Sequence, residues 1–234
     1  MLVAALLTAR LANDAIVPVP RPDDWWRKRH DAVIARVKQG NSDLVFIGDS
    51  ITHAFGGDPQ TGESFNNRGK DSWDKFFGKY HPINLGFSGD RTQHVLWRLD
   101  NGEMDGVQPK VVVVMIGTNN IGSNSPEQIA EGVSAILDWL RVHQRQAKIV
   151  LHAIFPRSPN PDNWQRRKVD ATNLLLEPIA RQKHAIYLDI GAKFLDEYGV
   201  LHPTIMPDYL HPNADGYAIW AKALKPTLDR LLGK

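Results

Sequence analysis

Leu44-Val45-Phe46-Ile47-Gly48-Asp49-Ser50-Ile51 is the stretch from which the fold can be read. Four apolar residues followed abruptly by Gly, Asp and Ser describe a buried parallel strand that ends in a tight turn opening a helix. Such a turn sets a serine hydroxyl at the carboxyl end of a strand, the edge where open α/β sheets bind ligands. A hydroxyl there becomes a nucleophile only when a base, an orienting carboxylate and oxyanion donors reach it from other parts of the chain.

Outward from this strand, helix and strand patterns alternate. Upstream, Trp26, His30, Val33, Ile34 and Val37 recur at helical spacing between Asp23, a capping residue, and Gly40, a stop. Downstream, a glycine-rich loop from Gly56 to Gly62 leads to a helix over Lys70 to Phe77, then to a short strand, Pro82 to Gly86. Asp90 and Gln93 have capping-box spacing at the start of a helix carrying Val95, Leu96 and Leu99. Lys110 to Gly117 contains the β-branched run Val111 to Val114 and reads as the central strand. An amphipathic helix over Pro126 to His143, a strand over Ala147 to Ile154, a helix to Gln182 through Val169, Leu174, Leu175 and Ile179, and a strand over Ala185 to Leu188 follow. Asp189 to Glu197 reads as a short helix. The last helix, Asn213 to Leu232, turns Tyr217, Trp220, Leu224, Leu228 and Leu231 inward, with a kink expected at Pro226.

Five strands alternating with helices form a βαβ series with right-handed connections, whose product is a three-layer α/β/α sandwich around a parallel sheet. The expected strand order is 2-1-3-4-5, flavodoxin-like, which makes the first and third strands neighbours and brings Ser50 and Asn119 to the crevice between their carboxyl ends.

Composition narrows the function classes. The 234 residues, 42 % apolar and 23 % charged, suit one α/β domain, read as residues 23–234 behind a tail of residues 1–22. A net charge of +2 without a basic run argues against nucleic acid as a partner, and the lack of cysteine excludes disulfides and thiolate chemistry. No histidine pair has ligand spacing such as His-Glu-x-x-His, so neither a metal nor another cofactor is called for. No apolar stretch has the length that stable membrane insertion needs. Met1 to Leu7 are apolar and small residues continue to Ala15, which reads either as the tail of an export signal, implying a periplasmic or secreted protein, or as a plain disordered start, compatible with the cytoplasm. Pro18, Pro20 and Pro22 make a stiff lead-in.

The base is sought in Pro207-Asp208-Tyr209-Leu210-His211-Pro212. An Asp and a His three apart in a turn can face one side, with the carboxylate holding Nδ1–H and Nε2 turned to Ser50. For the oxyanion, the backbone N–H groups of Ser50 and Gly89 and the side-chain amide of Asn119 can converge. Taken singly, Gly89 and Asn119 read better as turn residues than as oxyanion donors, and His211 equally well as a surface histidine. Their joint delivery to one sheet edge favours chemistry.

Gly48-Asp49-Ser50, Gly86 to Asp90, Gly117-Thr118-Asn119-Asn120 and Asp208 to His211 resemble, in order, the four sequence blocks of the SGNH (GDSL-like) hydrolases. Gly89 to Glu103 is similar to the catalytic subunits of platelet-activating-factor acetylhydrolase Ib and their bacterial relatives. The resemblance implies Ser50 as nucleophile, Asp208 and His211 as its partners, an oxyanion hole of Ser50, Gly89 and Asn119, and conceivably a homodimer. It also implies that Ile51, Thr118 and Leu210 crowd the acyl side, so that only a short chain such as acetyl fits. Position 51 is isoleucine where the superfamily motif has leucine, a volume-conserving change. The Gly-x-Ser-x-Gly elbow of α/β-hydrolases is absent, since residue 52 is Thr.

Trp73 and Trp164 fall in or beside loops at the expected edge, where each could stack on a sugar or merely cover a core. Arg157 is a candidate contact for a polar or anionic leaving group, and His53, one helical turn past Ser50, could line the site but reads better as a surface histidine. The expected activity is hydrolysis of acetyl or similarly short esters, with acetylated carbohydrate as the first substrate class and a phospholipid or general small ester as the second. The competing class is a non-catalytic binding module, in which one or more of Ser50, His211 and Asn119 would be lost. A nucleotide-binding flavodoxin would need a phosphate-binding glycine loop, which the sequence lacks.

Overall fold

Alternation along the strands sorts the core into two layers. In the computed structural model, which describes residues 13–59 and 67–233, β1 (Leu44–Gly48) sends Val45 and Ile47 to one face of the sheet and Leu44 and Phe46 to the other. β3 (Val111–Met115) does the same with Val112 and Val114 against Val111, Val113 and Met115. Both faces are therefore apolar, as a sheet covered on both sides requires. With β2 (Ile83–Gly86), β4 (Lys148–His152) and β5 (Ile186–Leu188), these strands form one parallel sheet in the order 2-1-3-4-5, the expected topology.

One face carries α1 (Asp24–Val37), α4 (Thr92–Asp100), α5 (Pro126–His143) and α6 (Trp164–Gln182), which bury Trp26, Val95, Val133 and Val169. The other carries α2 (Ser50–His53), α3 (Lys70–Phe77) and α7 (Ala214–Leu232), packed through Ile51, Phe77, Tyr217 and Trp220. α7 continues through Pro226. The segment after β5 forms only a 3-10 turn, Gly191–Phe194, in place of the expected short helix.

Several local expectations are corrected. Asp90 does not cap α4 with Gln93: its carboxylate is buried, accepting from Trp26 Nε1 and Arg98 Nε at 2.8 Å each, and Arg91 N–H donates instead to His94 Nδ1 at 3.0 Å. Asp23 precedes α1 without a side-chain capping bond, because Arg21 Nε donates to its carboxylate. Leu174 faces solvent at 77 % exposure, since the buried stripe of α6 runs through Val169, Thr172, Leu176 and Ala180.

The described part of the proline-rich lead-in is laid along the domain. Asn13 Nδ2 donates to Gln128 O, Thr92 Oγ1 to Ala15 O, and Val19 N–H to Gln93 O. Residues 1–12, on which the export expectation rests, and 60–62 of the expected glycine-rich loop lie outside the described residues. Among the described residues no helix is long and apolar enough to cross a membrane.

Candidate active site

Gly48 ends β1 where nothing larger fits: a Cβ there would stand 2.1 Å from Thr52 Oγ1 and 2.5 Å from Met115 O. This close approach lets the chain turn at once into α2, whose cap is Asp49, its Oδ1 accepting from Ile51 N–H at 3.0 Å. Ser50 is thereby the first residue of α2, at the carboxyl edge of the sheet. Asp49, beside it, is fully buried; desolvation raises its carboxyl to about 7, against the Ile51 N–H that favours the charged form. It serves the backbone.

Ser50 Oγ lies 2.8 Å from His211 Nε2, and His211 Nδ1 lies 2.6 Å from Asp208 Oδ2. The other oxygen, Asp208 Oδ1, accepts the backbone N–H groups of Leu210 at 3.1 Å and His211 at 2.7 Å. Burial pushes the Asp208 carboxyl upward, but His211 and these N–H donors outweigh it and hold the group below the ordinary carboxylate value. The turn that presents them places Tyr209 at φ +56°, the left-handed region, and is tied to the loop before α6 by Ser158 N–H donating to Tyr209 O at 2.9 Å.

Gly89 sits in the turn after β2 at φ +79°, and Asn119 in a 3-10 turn after β3, Thr118–Asn120. Both strands flank β1, so the two turns stand on either side of Ser50. Asn119 Nδ2 donates to Asp90 O at 2.9 Å. Beneath them lies a charged core: Arg98 bridges Asp90 and Glu103, Arg29 donates to Gly86 O at 2.7 Å and Asn84 O at 3.1 Å, and both guanidinium groups lie over the Phe87 ring. Arg98 and its two carboxylate partners are fully buried. Pairing of this type is what makes buried charge tolerable.

The remaining candidates separate. Trp73 is a correction: it is 2 % exposed and packed on Phe46, Phe55 and Phe77, so it cannot stack on a ligand. Ile51 and Thr118 are also buried, and Leu210 alone of the acyl-side trio keeps surface. Trp164 is 53 % exposed at the start of α6. Arg157 Nη1 donates to Thr118 O at 2.9 Å and Thr118 Oγ1 at 3.1 Å; desolvation lowers its affinity for protons, while Asp49 and Asp208 oppose this.

His53 is a second correction. It is buried, its Nδ1 2.9 Å from Ser88 Oγ, and desolvation with the nearby Arg29 and Arg98 charges lowers it to about 2. Its ring is therefore neutral. Sequence reading also missed Arg21, whose Nη1 donates to Ser88 O at 2.6 Å across 67 residues. No motif surrounds Arg21, and only the folded chain reveals the contact.

The geometry assembles a hydroxyl, an imidazole and a carboxylate in a hydrogen-bonded row at a sheet edge. Comparison with known proteins agrees on the class. The GDSL-like Lipase/Acylhydrolase family matches residues 46–219. The chain is 33 % identical over 226 residues to human platelet-activating factor acetylhydrolase IB subunit alpha1, covering 95 % of this chain and 92 % of that protein. It is 32 % identical over 210 residues to the rat alpha2 subunit, covering 90 % and 86 %. Among solved structures, Axe2, an acetylxylan esterase from Geobacillus stearothermophilus, superposes with a TM-score of 0.64 at 20 % identity, over 84 % of this chain and 97 % of that one, a likeness of fold. The protein is a hydrolase of carboxylic esters. It belongs to the GDSL-like lipase/acylhydrolase family, the SGNH hydrolases.

Proposed function

We propose that the protein is a serine esterase that removes acetyl or similarly short acyl groups through an acyl-enzyme, with an acetylated carbohydrate as the preferred substrate. The observation that carries the mechanism is the row Ser50 Oγ, His211 Nε2, His211 Nδ1, Asp208 Oδ2, with separations of 2.8 and 2.6 Å. Asp208 accepts Nδ1–H, which leaves Nε2 as the acceptor for the serine proton. Ser50 Oγ attacks the ester carbonyl as its proton passes to His211. The tetrahedral oxyanion takes hydrogen bonds from the N–H groups of Ser50 and Gly89 and from the Asn119 amide. Collapse breaks the bond to the alcohol oxygen, which receives the proton from His211. Water then attacks the acyl-Ser50, again giving a proton to His211, which passes it to Ser50 Oγ as the acyl bond breaks and the carboxylic acid leaves.

Support for a short acyl group comes from the family: the two curated relatives are acetylhydrolases by name, and their likeness spans nine-tenths or more of this chain. For a sugar, support comes from Trp164, an exposed ring at the start of the helix that follows the Ser158 loop. A ring in that position offers a stacking face. The same relatives favour a second reading, a phospholipid-like acetyl ester.

Hydrolysis of p-nitrophenyl acetate, butyrate and octanoate by the wild type and Ser50→Ala tests the chemistry. Turnover should fall with chain length and vanish in the variant. Turnover of acetylated xylo-oligosaccharide against a 2-acetyl ether phospholipid then decides the alcohol, and faster release from the phospholipid overturns the carbohydrate assignment.

A further inference from the structure

The peptide group between Ser88 and Gly89 joins the carbonyl oxygen of Ser88 to the N–H of Gly89, so whatever holds the one aims the other. Arg21 Nη1 donates to that carbonyl at 2.6 Å. The same nitrogen lies 2.5 Å from where a Cβ on Gly89 would stand, and 3.9 Å from Asp90 Oδ1. The guanidinium is itself fixed by its Nε bond to Asp23 Oδ2 at 3.0 Å and by the Trp25 ring, 5.3 Å from its centre. The chain that delivers it is anchored on α4 and α5 through Ala15, Val19 and Asn13. Arg21 lies outside residues 46–219, which the family match spans.

Two physical effects follow. A cationic donor on a carbonyl favours the charge-separated resonance form of the peptide, which makes its N–H a stronger donor. Glycine at positive φ leaves the adjoining peptide planes free to rotate, and a short charge-assisted bond removes that freedom. We infer that Arg21 is a positioning residue for the oxyanion hole: by holding the Ser88 carbonyl it orients and polarises the Gly89 N–H. The inference rests on the proposal that Gly89 N–H receives the oxyanion formed by attack of Ser50.

The test compares Arg21→Ala, Arg21→Met and Ser50→Ala with the wild type on p-nitrophenyl acetate, with circular dichroism as the check on folding. Arg21→Ala should lower kcat by about 10- to 100-fold, less than removal of an oxyanion donor outright, with KM nearly unchanged. Added guanidinium chloride, kept below denaturing levels, should restore part of that kcat and should do nothing for Ser50→Ala. Phosphorylation of Ser50 by diethyl p-nitrophenyl phosphate, with loss of p-nitrophenolate, should slow in parallel. A folded Arg21→Ala with wild-type kcat, or a loss that guanidinium leaves untouched, overturns the inference. Should the alanine variant fail to fold, Arg21→Met, which keeps the stem but has no donor, decides: lowered kcat at constant KM supports the role, and wild-type kcat overturns it. Activity surviving in Ser50→Ala overturns the serine mechanism itself, whereas an inactive Ser50→Ala beside an unimpaired Arg21→Ala removes only the role of Arg21.

Discussion

Asn119 and Asp90 are joined by a hydrogen bond from the side-chain amide of the first to the backbone carbonyl of the second, 2.9 Å long. It ties the turn after β3 to the turn after β2, across the end of β1, beyond which Ser50 opens α2. Because the carbonyl fixes the plane of the amide, it also fixes the direction of its second N–H. Asn119→Ala should lower kcat by about 10²–10³ with little change in KM, since in the proposed mechanism its bond to the oxyanion strengthens only as charge develops. Steady-state kinetics on p-nitrophenyl acetate measures this.

Ser50, His211 and Asp208 act as a unit in the proposed mechanism, so their losses should not add. Ser50→Ala and His211→Ala should each cost on the order of 10⁴ or more in kcat, and the double variant little beyond either single one. A double variant far below both would mean that the two side chains contribute independently.

Trp73 and Trp164, which sequence position leaves alike, should part in their effects. Trp73→Ala empties a space among Phe46, Phe55 and Phe77 and should cost about 3–5 kcal/mol in urea unfolding. Trp164→Ala, at an exposed site, should stay within about 0.5 kcal/mol. It should raise KM for acetylated oligosaccharide while leaving p-nitrophenyl acetate unaffected.

His152 should make the fold sensitive to acid. Trp220 Nε1 donates to its Nε2 at 3.0 Å, and complete burial lowers the ring to about 3. The unfolded chain takes up this proton near pH 6.5 while the folded one does not, so stability from this residue is lost as pH falls below that value. His53 and His94 are lowered as well and act in the same sense, whereas Asp49, raised to about 7, and Asp90, raised to about 6, act in the opposite sense. A difference measurement isolates one group. Between pH 7 and 5 the wild type should lose about 2 kcal/mol more than His152→Gln, whose side-chain carbonyl can still accept from Trp220. Equal losses in the two proteins would show that His152 is protonated in the fold.

What could be read from the chain alone is what local rules govern. Alternation and β-branching marked β1 and β3, helical spacing marked α1, α5 and α7, and the βαβ series yielded the strand order. Ser50, Gly89, Asn119, Asp208 and His211 stood out because turns at strand ends have recognisable residues, and because four such blocks recur in one order in a known family. The environments of side chains were less legible. Trp73 in the core, neutral buried His53, Asp90 taken by Arg98 and Trp26, and Arg21 on the Ser88 carbonyl were decided by the tertiary structure alone. Periodicity and turn chemistry act over a few residues, within reach of a single stretch of sequence. The contacts that set burial, charge and aim join residues such as Arg21 and Ser88, 67 positions apart, or Ser50 and His211, 161 apart, and exist only once the strands are laid side by side.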